Sequence, residues 1–343
     1  MEMTSMQRTL TTLSHREPDR VPVFLLLSMQ GARELGISLA EYYAGGELVA
    51  EGQLRLRARF GHDCLYTFYY APIEIEAWGG EIILREDGPF NSGAPFISSF
   101  EQIEKLQPAR VKDAACLHKV LRTTEILKKR VGDEVPIIGV VMSPFSLPVM
   151  QMGFEAYINL LYERPDLFDR LMRVNEEFAV EWANAQLAAG ATAICYFDPV
   201  SSNTIIPIEM YLRTGHEVAQ RTLARIKGPT ATHLASGRCL PIIDSLATTG
   251  TAVIGASILE DIGEIKQACR GKLTVLGNLN GIEMCRWTPR QAEEIVRDTI
   301  HKAAPGGGFI LSDNHGEIPY QVTDEILHAI MDAARTWGEY PIL

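Results

Sequence analysis

The chain contains no run of the roughly 20 apolar residues that a membrane-spanning helix needs, which excludes a helical membrane protein. Its opening stretch, MEMTSMQRTLTTLSHREPDR, lacks the apolar core and cleavage signal of an export sequence, so a cytoplasmic location is expected. Positive charge is in deficit: 32 Lys and Arg face 43 Asp and Glu, for a net charge of −11. Nucleic-acid binding favours basic surfaces, so no such partner is expected. The six cysteines (Cys64, Cys116, Cys195, Cys239, Cys269, Cys285) form no CxxC pair and read as reduced, mostly buried thiols. Met142-Ser143-Pro144 is not a GxSxG elbow, which argues against a serine hydrolase. Gly306-Gly307-Gly308 precedes a strand instead of joining strand to helix, so it lacks the geometry of a phosphate loop. Linkers and low-complexity segments are also missing.

What is present is a repeated alternation. Eight short apolar, strand-like runs are each followed by helix-like sequence: Val21–Leu27, Cys64–Tyr70, Pro136–Met142, Ala193–Phe197, Thr230–Leu234, Ala252–Gly255, Leu273–Leu276 and Phe309–Leu311. The first run, Val21–Leu27, is too continuously apolar for a half-exposed strand, as expected of a parallel sheet covered on both faces. The pattern predicts an α/β fold, a single (β/α)8 TIM barrel over residues 1–343. An N-terminal helical extension precedes strand one. Between strands two and three, Ile73–Leu84 alternates apolar and polar residues around Gly79-Gly80, predicting an inserted β-hairpin. Continuous helices are expected over Leu39–Arg59, Leu147–Tyr162, Pro165–Ala189 and Ile208–Ile226. In such barrels the chemistry sits at the C-terminal ends of the strands. That rule draws attention to GGGFILSDNHGEIP, where strand eight runs into Ser312, Asp313, Asn314 and His315.

Four segments resemble the uroporphyrinogen decarboxylase superfamily: DRVPVF (Asp19–Phe24), AGATAICYFDP (Ala189–Pro199), VLGNLNGIEM (Val275–Met284) and the strand-eight segment. The resemblance runs along nearly the whole chain and implies the same barrel. It also implies one of two chemistries, porphyrinogen decarboxylation or corrinoid-linked methyl transfer. The decarboxylase pattern carries a paired-arginine RQAGR motif after strand one, where this chain reads LLSMQGARELG and keeps only Arg33. A carboxylate clamp depends on charge-assisted bonds that Gln30 cannot reproduce. The aspartate expected after strand two is replaced by Tyr69, Tyr70 and Ala71. One decarboxylase element is kept, since His315 in DNHG falls where that branch has LGHG.

The methyltransferase branch holds zinc with an HxC pair after strand five and a cysteine after strand eight. Here THLAS supplies His233 but places Ala235 at the cysteine position, and strand eight offers His315. The resemblance therefore implies a zinc set of His233 and His315 with a carboxylate, Glu260 or Asp198, which would polarise a substrate heteroatom. His315, Asp198 and Tyr70 are the candidate catalytic groups; Gln30, Arg33, Asn278 and Asn280 are the candidate substrate contacts. The implied function is transfer of a methyl group between a small methylated substrate or thiol and a corrinoid. No cobalamin domain is visible, so the corrinoid is expected on a partner protein. A homodimer is the family-like expectation. The alternatives are decarboxylation of an acidic tetrapyrrole, and a small-molecule or corrinoid-binding protein without catalysis.

Overall fold

The computed structural model describes residues 2–342. Counting barrel strands only, they are β1 (Val23–Phe24), β2 (Leu65–Tyr66), β3 (Ile137–Met142), β4 (Ala193–Phe197), β5 (Thr230–His233), β6 (Val253–Gly255), β7 (Thr274–Leu279) and β8 (Phe309–Asp313). All neighbours pair in parallel, in the order β1-β8-β7-β6-β5-β4-β3-β2. The two ends of this curled sheet are bridged by Asp63. Its N–H donates to Val23 O at 2.7 Å and its carboxylate accepts from Val23 N at 2.9 Å. The expected (β/α)8 barrel is thus formed, with helix α1 (Ser5–Leu13) as the N-terminal extension.

Successive strand side chains point to opposite faces, and the core divides accordingly. Ile194, Tyr196, Ile254, Val275, Phe309 and Leu311 face outward and pack under the helices. Phe24, Tyr66, Cys195, Val253, Leu276 and Ile310 face inward and form a separate cluster inside the barrel. Helix ends follow local chemistry. Thr4 and Thr288 each close a capping box, with Gln7 and Gln291 respectively, satisfying otherwise orphaned first-turn N–H groups. The helix Pro165–Ala189 keeps its expected bounds, opening on proline and ending at Gly190 in the left-handed region (φ 116°).

Other expected helices are broken. The stretch from Leu39 divides into Leu39–Tyr42 and Gly46–Phe60. Gly46 sits so close to the helix Ala115–Val131 that a Cβ there would lie 2.8 Å from Lys119 O. Leu147–Tyr162 breaks at Gly153 (φ 87°), and Ile208–Ile226 breaks at Thr214. The predicted hairpin is shifted. Ile73–Ala77 is helical, and the antiparallel pair is Ile82–Ile83 with Asn91–Ser92, joined through the Asp87-Gly88-Pro89 segment. The reason lies in Glu74. It is buried, and its carboxylate accepts the N–H of Met142 at 2.8 Å, which binds this segment to the end of β3. Among the described residues no helix is long and apolar enough to cross a membrane.

Candidate active site at the barrel mouth

The C-terminal ends of β5 and β8 bring two histidines to one region. His233, the last residue of β5, is fully buried and stacks on Phe197 of β4, with ring centroids 5.4 Å apart. Its Nδ1 accepts the N–H of Ala235 at 3.0 Å, so the neutral ring carries its proton on Nε2. That Nε2 is buried and has no partner. Burial lowers the His233 pKa to about 4, helped by the nearby His315, so the ring stays neutral in ordinary buffers. Ala235 itself adopts a left-handed conformation (φ 51°), which lets the chain double back to make this contact. Gly255 is required by the close approach of the ring, since a Cβ there would lie 2.6 Å from His233 Cδ2.

The turn after β8 is organised by Asp313. One carboxylate oxygen accepts the N–H groups of His315 and Gly316, both at 2.8 Å. The other, Oδ1, is buried without a partner. Burial pushes the Asp313 pKa up to about 6 against the pull of those backbone donors. Glu317 lies four residues on and accepts the hydroxyl of Ser28 from the β1 end. Burial, together with the nearby Asp313 carboxylate, raises its pKa to about 7, while Ser28 opposes the rise. His315 is half-buried, its Nδ1 has no partner, and burial lowers its pKa. Asn314 Nδ2 is also unpartnered. Tyr66 crosses the barrel interior to donate its hydroxyl to Gly316 O at 2.8 Å, holding this turn from below. Unpaired buried polar atoms are uncommon in folded proteins, and four of those found here belong to His233, Asp313, Asn314 and His315 at the ends of β5 and β8, which makes this region the candidate site.

The remaining sequence candidates bond within the chain, although Gln30 Oε1 is buried without a partner. Glu260 accepts the N–H groups of Cys239 and Leu240 at 2.7 and 3.0 Å, capping the turn that follows β5. Asp198 is buried, and its Oδ1 takes the hydroxyls of Ser143 and Ser146, which ties the β3 and β4 ends together. Tyr70 donates to Glu76 at 2.7 Å and packs against Tyr43 and Phe90 beside the inserted hairpin. Gln30 donates to Ile318 O and Pro319 O at 2.9 and 3.0 Å. Arg33 donates to Tyr320 O and Val322 O and pairs with Asp324. Asn278 donates to Ser257 O at 2.9 Å, and Asn280 caps the short helix Gly281–Met284.

The three-ligand zinc set is therefore not assembled. Glu260 and Asp198 are occupied elsewhere, and among the described residues no group of three or more His, Cys, Asp or Glu side chains is placed to hold a metal. A catalytic zinc takes three protein ligands, so the donors present do not fit one. Sequence reasoning passed over Asp313 and Glu317, although both stand in the strand-eight segment. The signal was two carboxylates in a turn flanked by apolar Leu311 and Ile318.

Comparison with known proteins agrees with this fold and divides on the chemistry. The uroporphyrinogen decarboxylase (URO-D) family model matches residues 4–337. A methylcobamide:CoM methyltransferase MtaA of Methanosarcina barkeri (strain Fusaro / DSM 804) is 26% identical over 288 residues, covering 81% of this chain and 83% of that protein. A uroporphyrinogen decarboxylase of Myxococcus xanthus (strain DK1622) is also 26% identical, over 336 residues and 92% of each chain. A methyltransferase structure from Methanosarcina mazei superposes with a TM-score of 0.81 at 20% identity, over 98% of this chain and 99% of that one.

Proposed function

Because this chain belongs to the uroporphyrinogen decarboxylase (URO-D) family, whose members include enzymes of both chemistries, we propose that it is a methyltransferase. It moves a methyl group between a small methylated substrate or thiol and a corrinoid carried by a partner protein. The observation that carries this reading is the state of Arg33. The one arginine kept near the decarboxylase clamp position spends its guanidinium on Tyr320 O, Val322 O and Asp324, so it is withdrawn from clamping acidic tetrapyrrole side chains. The similarity to the methylcobamide:CoM methyltransferase supports the same choice.

The corrinoid supplies the cobalt that carries the methyl group. It would meet a rim of exposed aliphatic side chains, Ile205, Ile258, Leu259 and Ile282, on the segments that follow β4, β6 and β7. His233 presents a neutral Nε2–H as a hydrogen-bond donor to the substrate heteroatom. Such a donor in a water-poor site is worth more than in solution and needs no reorganisation. Asp313 and Glu317 titrate near 6 and 7, so both forms are available near neutrality: the ionised carboxylate takes the proton of a thiol that becomes methylated, and the protonated carboxyl returns one to a heteroatom that loses its methyl group. No metal is needed for these roles.

The test is spectroscopic. Purified protein is mixed with methylcobalamin and a panel of thiols, and with reduced cobalamin and methoxy or methylamino compounds, while uroporphyrinogen is assayed in parallel. Protein-dependent spectral conversion of the cobalamin is expected with at least one small substrate. Decarboxylation of uroporphyrinogen without such conversion would overturn the reading, and binding without turnover in any arm would favour a non-catalytic role.

A further inference from the structure

The two faces of the barrel strands are not equally well packed. Outward residues such as Phe309, Ile254 and Val275 are 0% exposed, whereas the inward residues Cys195, Val253 and Leu276 retain 5%, 8% and 6%. That residual surface lines a cavity of about 90 Å³ in the N-terminal half of the barrel. Its walls include Phe24, Leu26, Ile138, Cys195, Leu276 and Ile310. Helix α1 covers it from below with Met6, Thr9, Leu10 and Leu13, an i, i+3, i+4, i+7 face.

We propose that this cavity is a second ligand site, separate from the mouth, which takes a small uncharged apolar molecule of about the size of benzene. The space is several times the roughly 10–15 Å³ that a water needs, yet a buried water also needs two to four polar partners. The lining withholds them. Tyr66 donates its hydroxyl to Gly316 O and Thr9 to Ser5 O, and the Thr192 hydroxyl oxygen accepts from Ile137 N–H. No Asp, Glu, Lys, Arg or His lines the walls. The Cys195 thiol stays protonated, because burial pushes its pKa up to about 12. A charged or strongly hydrogen-bonding ligand would therefore be desolvated without compensation, and an apolar one would not. Entry is from the N-terminal face, past α1 and the rim residues Pro136, Pro229 and Ala252. The site stands independently of the methyl-transfer reading.

Benzene is the probe. Thermal melts of the full chain are expected to show a saturable rise in Tm on the order of 1–2 °C with benzene. Ala231→Leu, which fills the cavity from β5, should abolish that rise while keeping native circular dichroism. No saturable rise in the unaltered protein, or an undiminished rise in folded A231L, overturns the proposal. Should A231L fail to fold, xenon-pressurised crystals of the unaltered protein decide. A xenon peak between Cys195 and Leu276 supports the site, and an empty map there rejects it.

Discussion

The two ends of the barrel hold similar side chains in opposite states. At the floor, Asp63 receives Ser5 Oγ at 2.9 Å, Arg8 Nη1 and Arg20 Nη1 at 2.7 Å each, and the Val23 N–H at 2.9 Å. Arg8 is further held by Asp19. Arg8, Arg20, Asp19 and Asp63 are all paired within the chain, although Arg57 Nε and His62 Nδ1 beside them are not. At the mouth, His233 Nε2, Asp313 Oδ1, Asn314 Nδ2 and His315 Nδ1 are buried and unanswered. A satisfied network locks the strands that begin the barrel, while an unsatisfied one is a binding capacity left open. The contrast parallels the division of such barrels into an N-terminal face that stabilises and a C-terminal face where the chemistry is expected.

The sharpest way to break this comparison is at the floor. Asp63→Ala takes the carboxylate partner from Arg20 and one of two carboxylate partners from Arg8, and removes the side-chain half of the bridge between β1 and β2 while the backbone N–H to Val23 O stays. The expected loss is about 3–5 kcal/mol of unfolding free energy, read by urea denaturation, with activity per folded molecule retained. A loss below about 1 kcal/mol would mean that the network is decoration. At the mouth the effect should reverse. His233→Phe, which keeps a ring but has no N–H, is expected to cut turnover by about 10²-fold or more by loss of the Nε2 donor, while stability changes by less than about 1.5 kcal/mol. Unfolding curves that shift as much as the activity would remove the distinction.

The smallest effect is in the pH dependence of stability, and its sign differs between the ends. Asp313 and Glu317 have folded pKa values raised by burial to about 6 and about 7. The folded state then binds more protons than the unfolded state between roughly pH 4 and 7, so their contribution to stability is lost as pH rises through that window. Asp19 behaves in the opposite sense. Burial works to raise its pKa, but the Arg8 hydrogen bond and charge and the Met3 N–H outweigh burial and lower it. Its contribution is present above the ordinary carboxylate range and lost as pH falls through the lowered value. Combining Asp313→Asn with Glu317→Gln should flatten the slope of unfolding free energy between pH 4 and 7 and leave the acid limb intact. An unchanged slope in urea titrations across that range would show that the mouth carboxyls titrate normally.

Much of the architecture was legible because parallel strands covered on both faces leave unbroken apolar runs. Ala193–Phe197 and Pro165–Ala189 keep their expected bounds for that reason and for the proline at the helix start. Breaks in the helices were not legible. The interruption before Gly46 depends on the approach of Lys119 O, more than 70 residues away in the chain. The site divides in the same way. Position at a strand end pointed to His233 and His315, and both carry an unpartnered ring nitrogen. Residue type also pointed to Glu260, Asp198, Arg33 and Asn280, whose hydrogen bonds are all used for capping and bracing. Nothing in a sequence tells a carboxylate that caps a turn from one that waits for a ligand.

Sequence alone pointed to the barrel, since eight successive strand–helix units are the number that closes a parallel sheet on itself. It also pointed to the C-terminal strand ends as the place for the chemistry. The tertiary structure decided which polar atoms were left over there. Whether a buried donor or acceptor is free depends on where its three or four nearest neighbours fall in space, and those neighbours come from strands far apart in the chain.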